Sequence, residues 1–207
     1  MSRTEQKAQT RQRIVEASGR GFKRGGFGGI GIDGLAKEAG VTSGAFYVHF
    51  SSKEAAFKEA VLSGIDELRA AVERLRATSG AQWVEALVDF YLGYKRVCEL
   101  GDSCAMQSLI PEVGRAGDHI KAAVQEHMIE LAQAIADGLP EGKPEERLER
   151  AWALMALLSG GVTLARATSD PGASEAIANA VRRAALQVGL APAAPAPRGS
   201  RIAQVRS

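Results

Sequence analysis

Cysteine is nearly absent from this chain: Cys98 and Cys104 are the two among 207 residues. Two thiols cannot build a disulfide scaffold or a four-cysteine zinc site. Aromatic residues are also scarce, at 5%, so a core has to come mostly from Ala, Leu, Val and Ile. No apolar run reaches the roughly 18 residues that a membrane-spanning helix needs, so no membrane partner is expected. The polar start Met1-Ser2-Arg3-Thr4-Glu5-Gln6-Lys7 leads into no apolar stretch, and a signal peptide is not expected. No Ser-His-Asp arrangement, paired-carboxylate motif or phosphate-binding glycine loop occurs, so neither catalysis nor a cofactor is expected. His119 and His127 lack carboxylate or cysteine neighbours at ligand spacing, so no metal is expected either. What remains is a soluble, reduced, cytoplasmic protein of one or two domains, with 45% apolar and 24% charged residues and enough chain for a real core.

A net charge of +2 hides an uneven distribution. Residues 1–53 hold nine Lys/Arg against four Asp/Glu, a net +5. Residues 54–190 hold fourteen against twenty, a net −6, and residues 191–207 add three arginines and no acid. A basic head on an acidic body points to an anionic partner at one end and a different task at the other.

Helix formers dominate and no β-alternating run persists, which predicts an all-α chain. Gln6–Arg24 carries Ile14, Val15, Ala17 and Phe22 at helical spacing and stops at Gly25-Gly26. Short helices follow over Ile32–Ala39 and Ser43–Phe50, then a long one from Ser52 to about Thr78. Further helices are expected over 82–100, 103–115 (interrupted by Pro111), 118–138, 144–168 and 171–190. The segment Ala191-Pro192-Ala193-Ala194-Pro195-Ala196-Pro197 opens a tail, 191–207, that reads as disordered. Gly26-Phe27-Gly28-Gly29-Ile30-Gly31 has the spacing of a dinucleotide loop, but a helix precedes it instead of a strand, so it reads as a helix connector.

Residues 31–53 carry the functional signal. Two short helices are joined by Ala39-Gly40-Val41-Thr42, in which Gly40 makes the turn, Val41 plugs the angle between helices and Thr42 caps the second one. That is a helix-turn-helix. Ile32, Leu35, Ala36, Ala39, Val41, Phe46 and Phe50 face inward on this pattern. Thr42, Ser43, Ala45, Tyr47 and His49 face out, and this set contains no acid, which suits a surface lined by phosphates.

Across residues 11–62 the sequence resembles the TetR family of transcriptional regulators. The resemblance rests on Ile14-Val15-Glu16-Ala17, Phe22, Gly26-Phe27, Leu35-Ala36-Lys37-Glu38-Ala39-Gly40-Val41 and above all Gly44-Ala45-Phe46-Tyr47-Val48-His49-Phe50-Ser51-Ser52-Lys53-Glu54. It implies an N-terminal three-helix DNA-binding domain (1–53), a helical bundle for ligand binding and dimerisation (54–190) and the tail 191–207. Carried over position by position, Thr42, Ser43, Gly44, Tyr47, His49 and Lys53 match DNA contacts. Thr42 and Tyr47 hydroxyls, His49 and the Lys53 ammonium suit phosphates, and Gly44 permits close approach. Ser43 and Ala45, short and near the helix start, suit base edges. Two positions depart from the family pattern: Gly31 stands where a capping Thr or Ser is usual, and Ser43 where Lys is frequent. Each departure removes a phosphate contact, leaving more to Arg3, Lys7 and Arg11.

The resemblance further implies a homodimer on double-stranded DNA with a palindromic operator, and a small apolar or aromatic effector bound in the acidic half. Tyr94, Met106 and Trp152 are the preferred pocket residues, with Phe90, Leu109, Met128 and Met155 beside them. The helices over 144–168 and 171–190 are expected to pair with their twofold mates, with Leu158 at that interface. Cys104 opens a short helix, where it is either an inert buried thiol or a redox or electrophile sensor. From another functional class, a helical small-molecule carrier or enzyme with a vestigial DNA head fits the same helical layout.

Overall fold

The computed structural model describes residues 2–190; the tail expected to be disordered, 191–207, lies outside the described residues. All regular structure among the described residues is helical, with no strand.

Helix α1 spans Arg3–Gly29 and opens with a capping box. Ser2 Oγ accepts from the Glu5 amide at 3.2 Å, and the Glu5 carboxylate accepts from the Ser2 amide at 2.6 Å. The expected stop at Gly25-Gly26 appears as a kink instead of an end: Gly26 has φ +70° and a last helical turn follows it. That turn places Phe27 against Phe22 and Phe57, at ring-centroid distances of 6.0 and 5.1 Å. Helices α2 (Ile32–Glu38) and α3 (Ser43–His49) follow. Between them Gly40 adopts φ +66°, a left-handed turn that costs glycine little and other residues much.

Helix α4 (Lys53–Ser79) begins with Ser52 Oγ accepting from the Ala55 amide at 3.1 Å. Ala56, Phe57, Ala60 and Val61 are buried near its start, and Ile65 and Val72 further along. The same helix therefore packs on α1 and carries on into the body, so a division at residue 53 falls at its first turn.

The expected helix over 82–100 is realised as α5 (Trp83–Asp89) continued by a π-helical run, Phe90–Lys95. A π-helix holds more residues per turn, so the run shifts the register. Tyr91 and Leu92 are both buried, while Tyr94 is turned outward at 53% exposure. Arg166 closes the C-terminal end, donating to the carbonyls of Lys95, Arg96 and Cys98 at 2.9, 3.0 and 2.9 Å. These are carbonyls that a helix end leaves without partners.

After a 3₁₀ turn at Leu100–Asp102, the segment around Pro111 is two single turns, α6 (Ala105–Ser108) and α7 (Ile110–Val113). Pro111 sits in the first turn of α7, where its missing N–H costs nothing. Helix α8 spans Asp118–Ala136, α9 Pro144–Arg166 and α10 Pro171–Leu190. The inner side of α9 presents Ala151, Leu154, Met155, Leu158, Val162 and Ala165 to the core. Its other side leaves Trp152 and Leu164 open, at 37% and 60% exposure. Leu158, expected at a subunit interface, is 3% exposed within a single subunit, because it lies on the inner side with Leu154 and Met155.

Candidate nucleic-acid interface and effector cavity

Helix α3 is seven residues long, and its orientation is fixed by two aromatic anchors. Phe46 and Phe50, one turn apart, are 0% and 3% exposed, with ring centroids 5.7 Å from each other. At about 100° per residue, the positions opposite Phe46 are Gly44 and Val48. Both are exposed, and Val48 is 68% so. Tyr47 beside them is 55% exposed. Thr42 is the N-cap: its Oγ1 accepts from the Ala45 amide at 3.1 Å, which leaves the hydroxyl proton free to donate outward.

Ser43 and Ala45 are half-buried on the flank of this face. The Ser43 hydroxyl donates to the Asp33 carboxylate at 2.5 Å, so an acid from α2 stands beside the α3 N-terminus. The outward residues of α3 contain no acid of their own, but the surface around them does. Lys53 lies at the start of α4 with its Nζ 4.6 Å from the Phe27 ring centroid, a cation–π contact that holds the ammonium near the head. Arg11 stacks 4.8 Å from the Phe50 ring centroid and pairs with Glu59 at 3.2 Å.

His49 is half-buried, and its Nδ1 has no hydrogen-bond partner among the described residues. Burial, reinforced by the charges of Lys7 and Arg11, holds its pKa below the ordinary 6.5. The unfolded chain therefore takes up this proton more readily than the folded one. His49 contributes stability above about pH 6.5 that is lost as the pH falls through and below that value. The melting temperature of the wild-type chain should drop further between pH 7 and pH 5 than that of His49→Gln. Equal drops would show that another group governs the acid limb.

A model of the family described as bacterial regulatory proteins, tetR family, matches residues 14–60. Residues 14–60 are thus a TetR-type head. The matched segment takes in α2, α3 and the first turns of α4. Over 45 residues the chain is 47% identical to the uncharacterized HTH-type transcriptional regulator YerO of Bacillus subtilis (strain 168), a match that covers 22% of this chain and 16% of that protein. The chain thus matches less than a fifth of that relative's length. Solved structures extend the similarity to the body. A TetR-family transcriptional regulator from Agrobacterium tumefaciens superposes with a TM-score of 0.69 at 17% identity, covering 86% of this chain and 98% of that one. The reduced form of NemR from E. coli gives 0.65 at 23% identity, covering 84% and 96%. At such identities these two show a shared fold.

Behind the TetR-type head, the residues expected to form an effector pocket are spread over several neighbouring cavities, the core and the outer surface. Phe90 lines a cavity of about 310 Å³ together with Lys23, Leu68, Tyr91, Lys95, Cys104 and Ala105. Tyr94 lines an adjoining cavity of about 290 Å³ that reaches α1 at Val15, Gly19 and Lys23. Met106 and Met155 meet at a small apolar gap deeper in the bundle. Leu109 is fully buried, and Met128 is partly buried against the hydrophobic core. Trp152 points away from all of them, because it sits on the outer side of α9. No sequence pattern marks Lys23 and Lys95 as cavity residues: both look like ordinary solvated charges until α1 and the π-helical run are placed side by side.

Three further residues tie head to body. The Arg24 guanidinium donates to Glu38 of α2 at 2.7 Å and to Glu99, just before the 3₁₀ turn, at 3.1 Å. The Glu99 hydrogen bond chiefly raises the Arg24 pKa, and Arg24 in turn chiefly lowers that of Glu99. These groups are open to solvent, so the pair serves as a positional link more than as a source of stability.

Proposed function

We propose that this chain is a homodimeric, DNA-binding transcriptional regulator, a repressor released from a palindromic operator by a small molecule. The observation that carries it is the two-sided helix α3, anchored by Phe46 and Phe50 while Thr42, Gly44, Tyr47 and Val48 stand free on a basic head. A helix so exposed fits the major groove of B-DNA. Thr42, Tyr47, His49 and Lys53 take phosphates, and Gly44 lets the helix start come close. Ser43 and Ala45 read base edges, and Val48 joins them through apolar contact with a thymine methyl.

The head (1–53) and the body (54–190) then divide the work. The open side of α9, with Trp152, Gly160 and Leu164, is the dimer face, and two subunits joined there present two recognition helices. An occupant of the body cavities favours subunit positions that no longer match successive major grooves. DNA and effector then weaken each other by equal free energies. The test is fluorescence anisotropy of labelled duplex from the region upstream of the coding sequence, against a shuffled duplex of equal composition. Tighter binding to the upstream duplex at about 0.15 M salt supports the proposal. Equal binding to both would count against a specific operator there.

A further inference from the structure

The two adjoining cavities share Lys23, Gly64, Glu67 and Lys95 as common walls, so they form one groove between α1, α4 and the π-helical run. The larger chamber holds an apolar and aromatic wall of Leu68, Ala71, Phe90, Tyr91 and Ala105. Its charged lining is Lys23, Arg74 and Lys95 against a single acid, Glu67. Most polar groups of the chamber are already engaged. Tyr91 and Cys104 share a hydrogen bond at 2.6 Å, and Ser103 donates to the Leu100 carbonyl at 2.5 Å. Lys95 donates to the Asp102 carbonyl at 2.5 Å and lies 5.5 and 5.4 Å from the Phe90 and Tyr94 ring centroids. Lys23 differs: it is half-buried and forms no hydrogen bond or ion pair among the described residues.

An ammonium held partly out of water without a partner is unfavourable, and an incoming anion relieves it. Burial is the main reason that Lys23 titrates below an ordinary lysine, with Glu67, Cys104 and Asp102 opposing the effect and Lys95 adding to it. A cationic occupant would meet three like charges, and a neutral one would leave the Lys23 charge uncompensated.

We propose that the larger chamber of this groove binds an anionic effector with an apolar or aromatic body, its carboxylate on Lys23 and its body against Phe90, Tyr91 and Leu68. The assignment deepens the regulatory function proposed above and rests on it. It also moves the effector site from the middle of the bundle to the junction of head and body. Lys23 precedes Arg24, whose bonds to Glu38 and Glu99 join the two parts, so an occupant there touches the element that positions the head.

The test is direct binding to the full chain without DNA, by calorimetry, of benzoate, 2-naphthoate and decanoate, each beside its neutral primary amide. At least one acid should bind ten times or more tightly than its amide. Lys23→Met should bring that acid to the level of the amide, and Lys23→Arg should retain the preference. Circular dichroism of each variant identifies any that fail to fold, and Arg74→Met, at the rim, should then show a weaker loss of the same preference. If no acid outbinds its amide, or if folded Lys23→Met keeps the preference, the assignment is overturned. DNA affinity of the same preparations is measured separately, so loss of the effector site and absence of DNA binding are distinguished.

Discussion

Leu158→Glu should unfold the subunit, whereas Leu164→Glu should leave it folded and break the dimer. The two residues lie on one helix, six positions apart, and differ in what surrounds them. Leu158 is 3% exposed against the core, so a carboxylate there would be buried without a partner. The expected cost is about 3–5 kcal/mol, which lowers the melting temperature of a chain this size by about 10 °C or more. Leu164 is 60% exposed in the single subunit, so its carboxylate meets water unless a second subunit covers it. Sedimentation should then show a folded monomer at micromolar concentration, with a melting curve close to wild type apart from the lost association. A Leu158→Glu chain that melts like wild type would contradict the burial of Leu158 within the subunit, and a Leu164→Glu dimer of undiminished affinity would place the interface off the outer face of α9.

The second large effect is on DNA. Tyr47→Phe combined with Lys53→Ala should weaken binding to every duplex alike and flatten its salt dependence. If each residue holds one phosphate, only loss of the Lys53 charge releases fewer counterions, so the logarithmic salt slope falls by about 0.9 per protomer. Loss of the Tyr47 hydroxyl lowers affinity without changing that slope. Substitutions at Ala45 or Val48 should act differently, changing which bases are preferred by about 1–3 kcal/mol per pair. Anisotropy titrations across a salt series separate the two behaviours. A double variant that binds as tightly as wild type at about 0.15 M salt would remove Tyr47 and Lys53 from the contact surface.

Helix content and the helix-turn-helix were legible because local signals agreed with tertiary demands. Gly40 carries the left-handed turn, Thr42 and Ser52 are caps, and Phe46 and Phe50 are buried as their spacing implied. The body was read less well, for identifiable reasons. A π-helical run is not encoded in a 3.6-residue pattern, and it turned Tyr94 outward from where an α-helix would put it. Apolar residues run around the whole of α9, so periodicity does not divide its inner from its outer face, and only packing places Trp152 outside and Leu158 inside. Lys23 and Asp33 act through neighbours distant in sequence or on another helix, and no local pattern marks either. Val48 was within reach, since its place opposite Phe46 follows from helix geometry alone.

Two copies of helix α3 are expected to read DNA together. The most direct test is selection of duplexes from a random-sequence library by the full chain, followed by the mass of the selected complex. The account predicts enrichment of an inverted repeat, with half-sites spaced so that two recognition helices enter successive major grooves about 34–36 Å apart, or a multiple of that, on one face of the duplex. It also predicts an even number of protomers on each site. Absence of any enriched sequence, or enrichment of a single asymmetric site occupied by one protomer, would contradict it.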